Sequence, residues 1–261
     1  MKILMSVVLS SALAGIAIWK KALTPLGIAL AWLMCFLICE IGGIVAFLIL
    51  AATFLVTIIA DKFAGQRADP NGLRRKSGRR DAVRVLCNVG VGTAMILLYG
   101  ISGKPGPAQP CFLMTFSAVM AESLSDSLAS KLGPLTRGKT VDICTFRETS
   151  VGLSGGVSGA GSVAAIFGAV LIGAICMLFH DVDVTEASLV AVIGYSGCLF
   201  DSVMGSVAQA KYRCPVCGMV TERDRHCGVS TVLYKGLRPI NNDAVNLLSN
   251  LFSAILAIII L

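Results

Sequence analysis

Three aspartates stand inside or at the edge of strongly apolar segments, where an ionisable side chain is costly and is therefore a candidate for function. Asp126 lies four residues after Glu122 and four residues before Ser130, so these three side chains share one face of a helix. Asp201 has a glycine four residues before it and four residues after it, which lets a neighbouring helix approach closely. The last apolar segment opens with a polar stripe of Asn242, Asp243, Asn246 and Asn250.

Carboxylates grouped in this way suit Mg²⁺, which binds through one or two of them together with phosphate oxygens of a substrate. We therefore predict that Asp126, Asp201 and Asp243 hold magnesium and are the catalytic residues. Asn246 and Asn250 have a second interpretation, because polar side chains also form hydrogen bonds between membrane helices.

A glycine-rich segment, residues 152–159 with the sequence GLSGGVSG, precedes an apolar helical pattern. Glycines let the backbone approach a ligand closely, and the N-terminus of a helix offers free N–H groups to anions. The pattern predicts a phosphate cradle that includes Ser154, Gly155 and Gly156. Close packing between helices is the alternative explanation for the glycines.

Residues 133–140, GPLTRGKT, match the phosphate-loop pattern G-x-x-x-x-G-K-[ST] letter for letter. That motif needs a strand before it and a helix after it, whereas here a membrane helix precedes and no helix signal follows. We therefore disfavour a Walker fold, and we retain Arg137 and Lys139 as cations that reach a phosphate.

The sequence CPVCG at residues 214–218, with His226 and Cys227 downstream, is similar to half of a zinc ribbon. Because two adjacent residues rarely coordinate one ion together, three thiolates from Cys214, Cys217 and Cys227 are the preferred ligands, with His226 as a further candidate. We predict a structural zinc that fixes the loop before the last helix. A loop without metal and a catalytic zinc are the alternatives.

The elements that carry these residues are long apolar runs. The chain has 261 residues, is 56% hydrophobic and 14% charged, and has a mean hydropathy of +0.82. Runs of this length without alternation predict membrane helices rather than strands. The fold class is therefore all-α, a single polytopic membrane bundle of about eight transmembrane helices, or seven if a kinked element replaces the second and third runs. The runs are 3–19, 23–39, 42–60, 85–101, 110–130, 157–179, 187–209 and 240–261.

The basic residues are distributed very unevenly along the chain. With eight spans, 20 of the 22 Lys and Arg residues fall on one side. Short basic loops stay in the cytoplasm, so loops 62–84 and 211–238 are predicted to be cytoplasmic and both termini external. The net charge of +7 then indicates anionic lipid headgroups or phosphates as partners, and not nucleic acid. Residues 12–14, ALA, are similar to a signal-peptide cleavage site, but the short apolar stretch before them predicts that the segment is retained.

Five segments together resemble the transmembrane protein 19 family, whose plant members include phytyl-phosphate kinase: RVLCN at 84–88, SDSLASKLG at 125–133, GLSGGVS at 152–158, DSVMG at 201–205 and NNDAVNLL at 241–248. The resemblance implies a kinase that converts an isoprenoid monophosphate into a diphosphate, with CTP as the expected nucleotide donor. Two departures are Lys131, where members often have an acidic residue, and Thr140, where proline is frequent. The candidate contacts to lipid phosphate or nucleotide are Arg84, Asn88, Ser130, Arg137, Lys139, Ser154, Gly155, Gly156, Asn242 and Asn246.

Two other functions fit the same residue types. A lipid or ion transporter uses intramembrane carboxylates, but it is expected to place them near the midplane and to show inverted repeats. A cytidylyltransferase acts on the same substrates and releases pyrophosphate instead of CDP.

Overall fold

The computed structural model describes residues 2–64, 79–102, 108–136, 138–179 and 182–261. Within these ranges the chain is mostly helical, which confirms the predicted all-α bundle. Of the predicted basic loop 62–84, residues 65–78 lie outside the described residues. The helices are α1 (Lys2–Trp19), α2 (Pro25–Ala64), α3 (Ala82–Ile101), α4 (Ala108–Leu132), α5 (Gly159–Cys176), α6 (Val184–Val207) and α7 (Asn242–Ile260).

Helix α4 forms the centre of the bundle. The other six helices are each long and apolar enough to cross a membrane, whereas α4 is more polar. It packs against α2, α3, α5, α6 and α7, and its middle, residues 114–125, is buried throughout. Because protein and not lipid surrounds it, α4 tolerates polar residues such as Thr115, Ser117 and Glu122.

Helix α2 is a hairpin of two helical arms, residues 25–42 and 44–64, joined at Gly43. Gly43 has φ 78° and ψ −169°, a backbone conformation that interrupts the helix and that side chains rarely adopt. Both ends of α2 lie beside Arg80, which forms a β-bridge with Leu23 and an ion pair with Asp61 at 2.8 Å. A straight helix of forty residues would separate its ends by about 60 Å. The chain therefore reverses at Gly43, which confirms the predicted break and gives eight helical arms in the described chain.

Successive arms run in opposite directions, so connections fall alternately at the two ends of the bundle. Ser6 bonds to Glu40 and Trp32 bonds to Ser11, which sets α1 antiparallel to the first arm of α2. We call the end that carries the first, third, fifth and seventh connections the polar end. It contains residues that border one large cavity: Lys20, Lys62, Arg79, Thr136, Gln209 and Asn241. Which side of a membrane this end faces stays a prediction.

Short antiparallel strands lie at the polar end. Strands β1 (Val141–Asp142) and β2 (Gly156–Val157) pair in the segment between α4 and α5. The predicted loop 211–238 is a folded ribbon rather than an irregular segment. In it, β3 (Lys211–Arg213) pairs with β4 (Val220–Thr221) and β7 (Val232–Lys235), while β5 (Arg225–His226) pairs with β6 (Val229–Ser230).

Candidate active site

A cavity of about 1570 Å³ opens at the polar end of the bundle. Helices α2 to α7, the glycine-rich segment and the ribbon all contribute to its walls. Eight of the ten predicted contacts to lipid phosphate or nucleotide line it, although they come from distant parts of the chain: Arg84, Asn88, Ser130, Ser154, Gly155, Gly156, Asn242 and Asn246.

The three predicted catalytic aspartates border this cavity from three helices, Asp126 from α4, Asp201 from α6 and Asp243 from α7. Arg84 Nε lies 3.1 Å from Asp243 Oδ1, so this carboxylate is paired with a cation. Among the described residues, no three carboxylates bring oxygens within 4.8 Å of one another. The aspartates therefore share one cavity without meeting at one point, and their role as magnesium ligands stays a prediction.

The buried hydroxyl of Ser249 faces two carboxylates, and one of them, Asp201, lines the cavity. Ser249 Oγ lies 2.7 Å from Glu122 Oε1 and 3.4 Å from Asp201 Oδ2. A hydroxyl has a single proton to donate, so it cannot satisfy both carboxylates at once. Glu122 is 1% exposed, and two close carboxylates in a low-dielectric setting need a shared proton or a cation. This set of oxygen donors fits a cation such as Mg²⁺.

Asparagines connect the aspartates to the neighbouring helices. The Asn246 amide lies 2.9 Å from Asn88 Oδ1 at one end and 3.2 Å from Asp201 Oδ2 at the other. Asn250 lies one turn deeper, is fully buried, and donates to the Cys87 carbonyl at 2.9 Å. Asn250 thus serves as an interhelical link, whereas Asn246 both joins helices and borders the cavity.

Lys131, which stands where members of the transmembrane protein 19 family often have an acidic residue, belongs to a small ion network. Its Nζ lies 2.9 Å from Asp61 Oδ1, and Arg80 bonds the other oxygen of the same carboxylate at 2.8 Å. The three charges connect α2, α4 and the segment before α3 at the edge of the cavity. Two cations around one carboxylate leave net positive charge there, which favours a phosphate.

The glycine-rich segment packs directly on the end of α6. Gly155 has φ 84°, and a Cβ added there would lie 2.6 Å from the Ser206 backbone nitrogen. The Ser154 N–H donates to Glu222 Oε1 at 2.8 Å, so one predicted phosphate donor already bonds a protein carboxylate. Helix α5 begins immediately afterwards, with Ser158 as its N-cap, and its first turn borders the cavity.

Asp142 holds the segment before this loop against the same end of α6. Its Oδ2 accepts a hydrogen bond from the Ser206 hydroxyl at 2.7 Å, and its Oδ1 accepts from the backbone N–H groups of Cys144 and Thr145. Partial burial tends to raise the pKa of Asp142, but the bonds from Ser206 and from the turn outweigh it and lower that pKa. The carboxylate therefore stays ionised and fixes the turn.

Residues 133–140, which match the phosphate-loop pattern, do not form a Walker loop. Helix α4 precedes it, residues 133–135 form a short 3₁₀ turn, and strand β1 follows where a helix would be required. Lys139 does not line the cavity and pairs with Glu148 at 2.7 Å on the exposed surface. Arg137 lies outside the described residues.

The four predicted zinc ligands lie together in the ribbon, and none of them lines the cavity. One ligand atom from each of Cys214, Cys217, His226 and Cys227 lies within 4.8 Å of the others. The structure therefore places His226 with the three thiols, although it is adjacent to Cys227 in the chain. A hydrogen bond from the Cys217 backbone lowers the pKa of the Cys214 thiol to about 6, and a hydrogen bond with the Cys217 side chain raises that of Cys227 to about 11.

A small apolar cleft of about 100 Å³ adjoins the cavity between α1, α2 and α3. Its walls include Leu13, Ile28, Phe54 and other apolar side chains. The cleft shares four residues with the large cavity: Arg80, Arg84, Asn88 and Ser127. An apolar space and a polar space therefore meet at two arginines, an arrangement that suits a ligand with an apolar tail and an anionic head.

Several polar residues around the cavity were absent from the sequence-based set of site residues. Ser249 had a usable signal, since it lies three residues after Asn246 on the polar stripe of α7. Glu222 had no such signal in the sequence, because it lies in a segment without helical periodicity. The full set is Asp61, Arg80, Glu122, Asp142, Glu222 and Ser249.

Comparison with known proteins gives one family and several distant relatives. The model of the family described as integral membrane protein DUF92 matches residues 8–254. Protein PGR of Arabidopsis thaliana is 24% identical over 204 residues, which cover 70% of this chain and 69% of that protein. Protein VTE6, chloroplastic, from the same plant is 23% identical over 248 residues, or 94% of this chain and 67% of that protein. The uncharacterized membrane protein sll0875 of Synechocystis is 29% identical over 209 residues, 78% of this chain and 76% of its own. No solved structure matches.

Proposed function

The chain belongs to the family of integral membrane proteins described as DUF92, and on this premise we propose that it is a membrane kinase that acts on an isoprenoid monophosphate. The membership agrees with the resemblance to the transmembrane protein 19 family, which includes phytyl-phosphate kinase. The donor is a nucleoside triphosphate, with CTP as the expected nucleotide.

One observation carries this proposal, namely the junction between the polar cavity and the apolar cleft. A prenyl phosphate has an apolar tail and an anionic head, and the two spaces meet at Arg80 and Arg84. The cavity also has room for a nucleotide beside the lipid headgroup. Its position at one end of the bundle favours a kinase over a transporter, whose site is expected near the midplane.

The chain's own residues bind and orient the two phosphates. In the reaction, an oxygen of the lipid phosphate forms a bond to the terminal phosphorus of the nucleotide, and the bond from that phosphorus to its bridging oxygen breaks, releasing a nucleoside diphosphate. Arg80, Arg84 and Lys131 supply positive charge for the phosphate oxygens, and the start of α5 offers N–H groups. Little covalent chemistry is needed, so positioning and charge dominate.

Carboxylates in such a cavity repel phosphates unless a cation intervenes. Asp126 and Asp201 line the cavity and are the residues that would hold magnesium, whereas Asp243 is paired with Arg84. When bound, Mg²⁺ neutralises charge on the transferred phosphoryl group. Asn246, which also contacts Asn88, orients the Asp201 carboxylate from the side.

The test is incubation of the purified chain with magnesium, CTP or ATP, and a panel of prenyl monophosphates, with lipid products identified by mass. A prenyl diphosphate with release of a nucleoside diphosphate is the expected result. A nucleotide-linked lipid with release of pyrophosphate would establish the cytidylyltransferase instead. Glu148→Gln serves as a control, because Glu148 is exposed and lies outside the cavity.

A further inference from the structure

The ribbon at residues 211–235 carries two tight turns that face each other. The first follows β3, where the Gly218 N–H donates to the Cys214 carbonyl at 2.9 Å and Gly218 has φ 73°. The second connects β5 to β6 through Cys227 and Gly228, with φ values of 50° and 78°. Both turns use left-handed backbone, which is unusual for the non-glycine Cys227.

This left-handed conformation explains how two adjacent residues point to one place. Side chains of consecutive residues in a strand alternate between opposite faces. At Cys227 the backbone leaves the strand conformation, so its thiol turns to the same side as His226. His226 Nδ1 lies 3.3 Å from Cys227 Sγ and 3.4 Å from Cys217 Sγ, and Cys214 completes the group.

The distances match those between ligands of a tetrahedral zinc ion. With zinc–sulfur bonds of about 2.3 Å and zinc–nitrogen bonds of about 2.0–2.1 Å, sulfur and nitrogen ligands lie roughly 3.5 Å apart. The observed 3.3 and 3.4 Å are close to that separation. Three thiols and one imidazole also form a set that is typical of structural zinc sites, which have no open position.

The ribbon buries few apolar side chains of its own. Its strands are two to four residues long, and Val216, Val232 and Tyr234 are each more than half exposed. Small units that cannot bury an apolar core usually require a disulfide or a metal. All ten cysteines are free thiols.

The segment between the two turns delivers a carboxylate to the active-site cavity. Glu222 follows buried Thr221 of β4 and stands four residues before His226. Its Oε1 accepts the Ser154 N–H at 2.8 Å, and both residues line the cavity. The ribbon thus contacts the glycine-rich segment through one charged hydrogen bond.

We infer that Cys214, Cys217, His226 and Cys227 bind one zinc ion, and that this ion holds the ribbon so that Glu222 anchors the glycine-rich segment. Glu222 is then a positioning residue, and the zinc is structural. The inference does not depend on the proposed reaction, because binding of the metal and ordering of residues 150–158 are measurable without substrate.

The experiment uses the full chain purified without chelators. Elemental analysis should find about one zinc per chain in the unaltered protein, as a single site of this kind requires. Cys144→Ser should keep the zinc, because Cys144 is exposed and outside the cluster. Cys217→Ser should lose it. Absence of zinc from the unaltered protein, or a disulfide among these cysteines, would overturn the metal site.

Hydrogen exchange then tests the link to the active site. Residues 150–158 should exchange at least about tenfold faster in Cys217→Ser than in Cys144→Ser, equivalent to about 1.4 kcal/mol. Glu222→Ala removes the acceptor, so it should keep its zinc and show the same faster exchange, even if Cys217→Ser fails to fold. Unchanged exchange in Glu222→Ala would refute the anchoring role while leaving the zinc site intact.

Discussion

Replacement of Gly155 by alanine tests whether the glycine-rich segment must lie directly on α6. At this position φ is 84°, and the added Cβ would be 2.6 Å from the Ser206 nitrogen and Cα. Real Cβ atoms do not approach backbone this closely, and backbone cannot swing aside as the end of a flexible side chain can. The segment or α6 must therefore shift.

Two costs add in the Gly155→Ala variant. A side chain in the left-handed region costs about 1–2 kcal/mol. Forcing an extra methyl group into a packed contact typically costs a further ~1–3 kcal/mol. Together these predict a loss of about 2–5 kcal/mol in the free energy of unfolding. For a domain of this size, that loss lowers the melting temperature by at least about 4 °C.

Gly159→Ala provides a matched control in the same segment. It lies at the first position of α5, its φ is not positive, and no atom lies within 4 Å of the added Cβ. Its melting temperature should stay within about 4 °C of the unaltered chain, because glycine-to-alanine changes in a helix are worth only ~0.5–1 kcal/mol and favour alanine.

The assay is thermal unfolding of both variants in one detergent, followed by prenyl-phosphate kinase activity below the melting temperature. We expect Gly155→Ala to be less stable and less active, and Gly159→Ala to retain both properties. An unchanged melting temperature in Gly155→Ala would show that the contact with Ser206 is not made. Equal losses in both variants would show that the segment is sensitive to any methyl group.

Three further predictions concern charges and topology. Asp126→Asn and Asp201→Asn should each fold and yet lose phosphoryl transfer by about 10²-fold or more, roughly 2.7 kcal/mol of barrier, while Glu148→Gln retains it; near-normal turnover in both aspartate variants would exclude the magnesium site. Lys131→Glu places a like charge beside Asp61 and should lower the melting temperature. The expected loss in the free energy of unfolding is only about 1 kcal/mol, because Asp61 is half exposed. Asp61→Asn in the same chain should restore the melting temperature. The predicted external C-terminus implies that a phosphatase fused there is active and that a fluorescent protein fused there is dark; the reverse result would contradict the predicted orientation.

Much of the helical framework follows from local sequence. Apolar runs and helical spacing predicted the arms of the bundle, including the break at residues 40–43, because length and composition determine what can span a membrane. The face shared by Asp126 and Glu122 also follows from a period of 3.6 residues. These features depend only on neighbours within a few turns of the chain.

Contacts between residues that are distant in the sequence could not be predicted from the sequence in this way. The ion pair between Asp61 and Lys131 joins residues 70 apart, and the bond from Ser154 to Glu222 joins residues 68 apart. Nothing local in either partner specifies the other. The inclusion of His226 beside Cys227 depends on a single left-handed backbone conformation, which the sequence alone did not indicate.

The central position of α4 has a consequence for how this protein is made. An insertion machinery that tests each segment against lipid favours apolar helices, and every other helix here is more apolar than α4. Three of the five partners that shield α4, namely α5, α6 and α7, are synthesised after it. Stable integration of α4 must therefore await helices that emerge later from the ribosome. The carboxylates of the candidate active site are consequently among the last groups to reach their final surroundings.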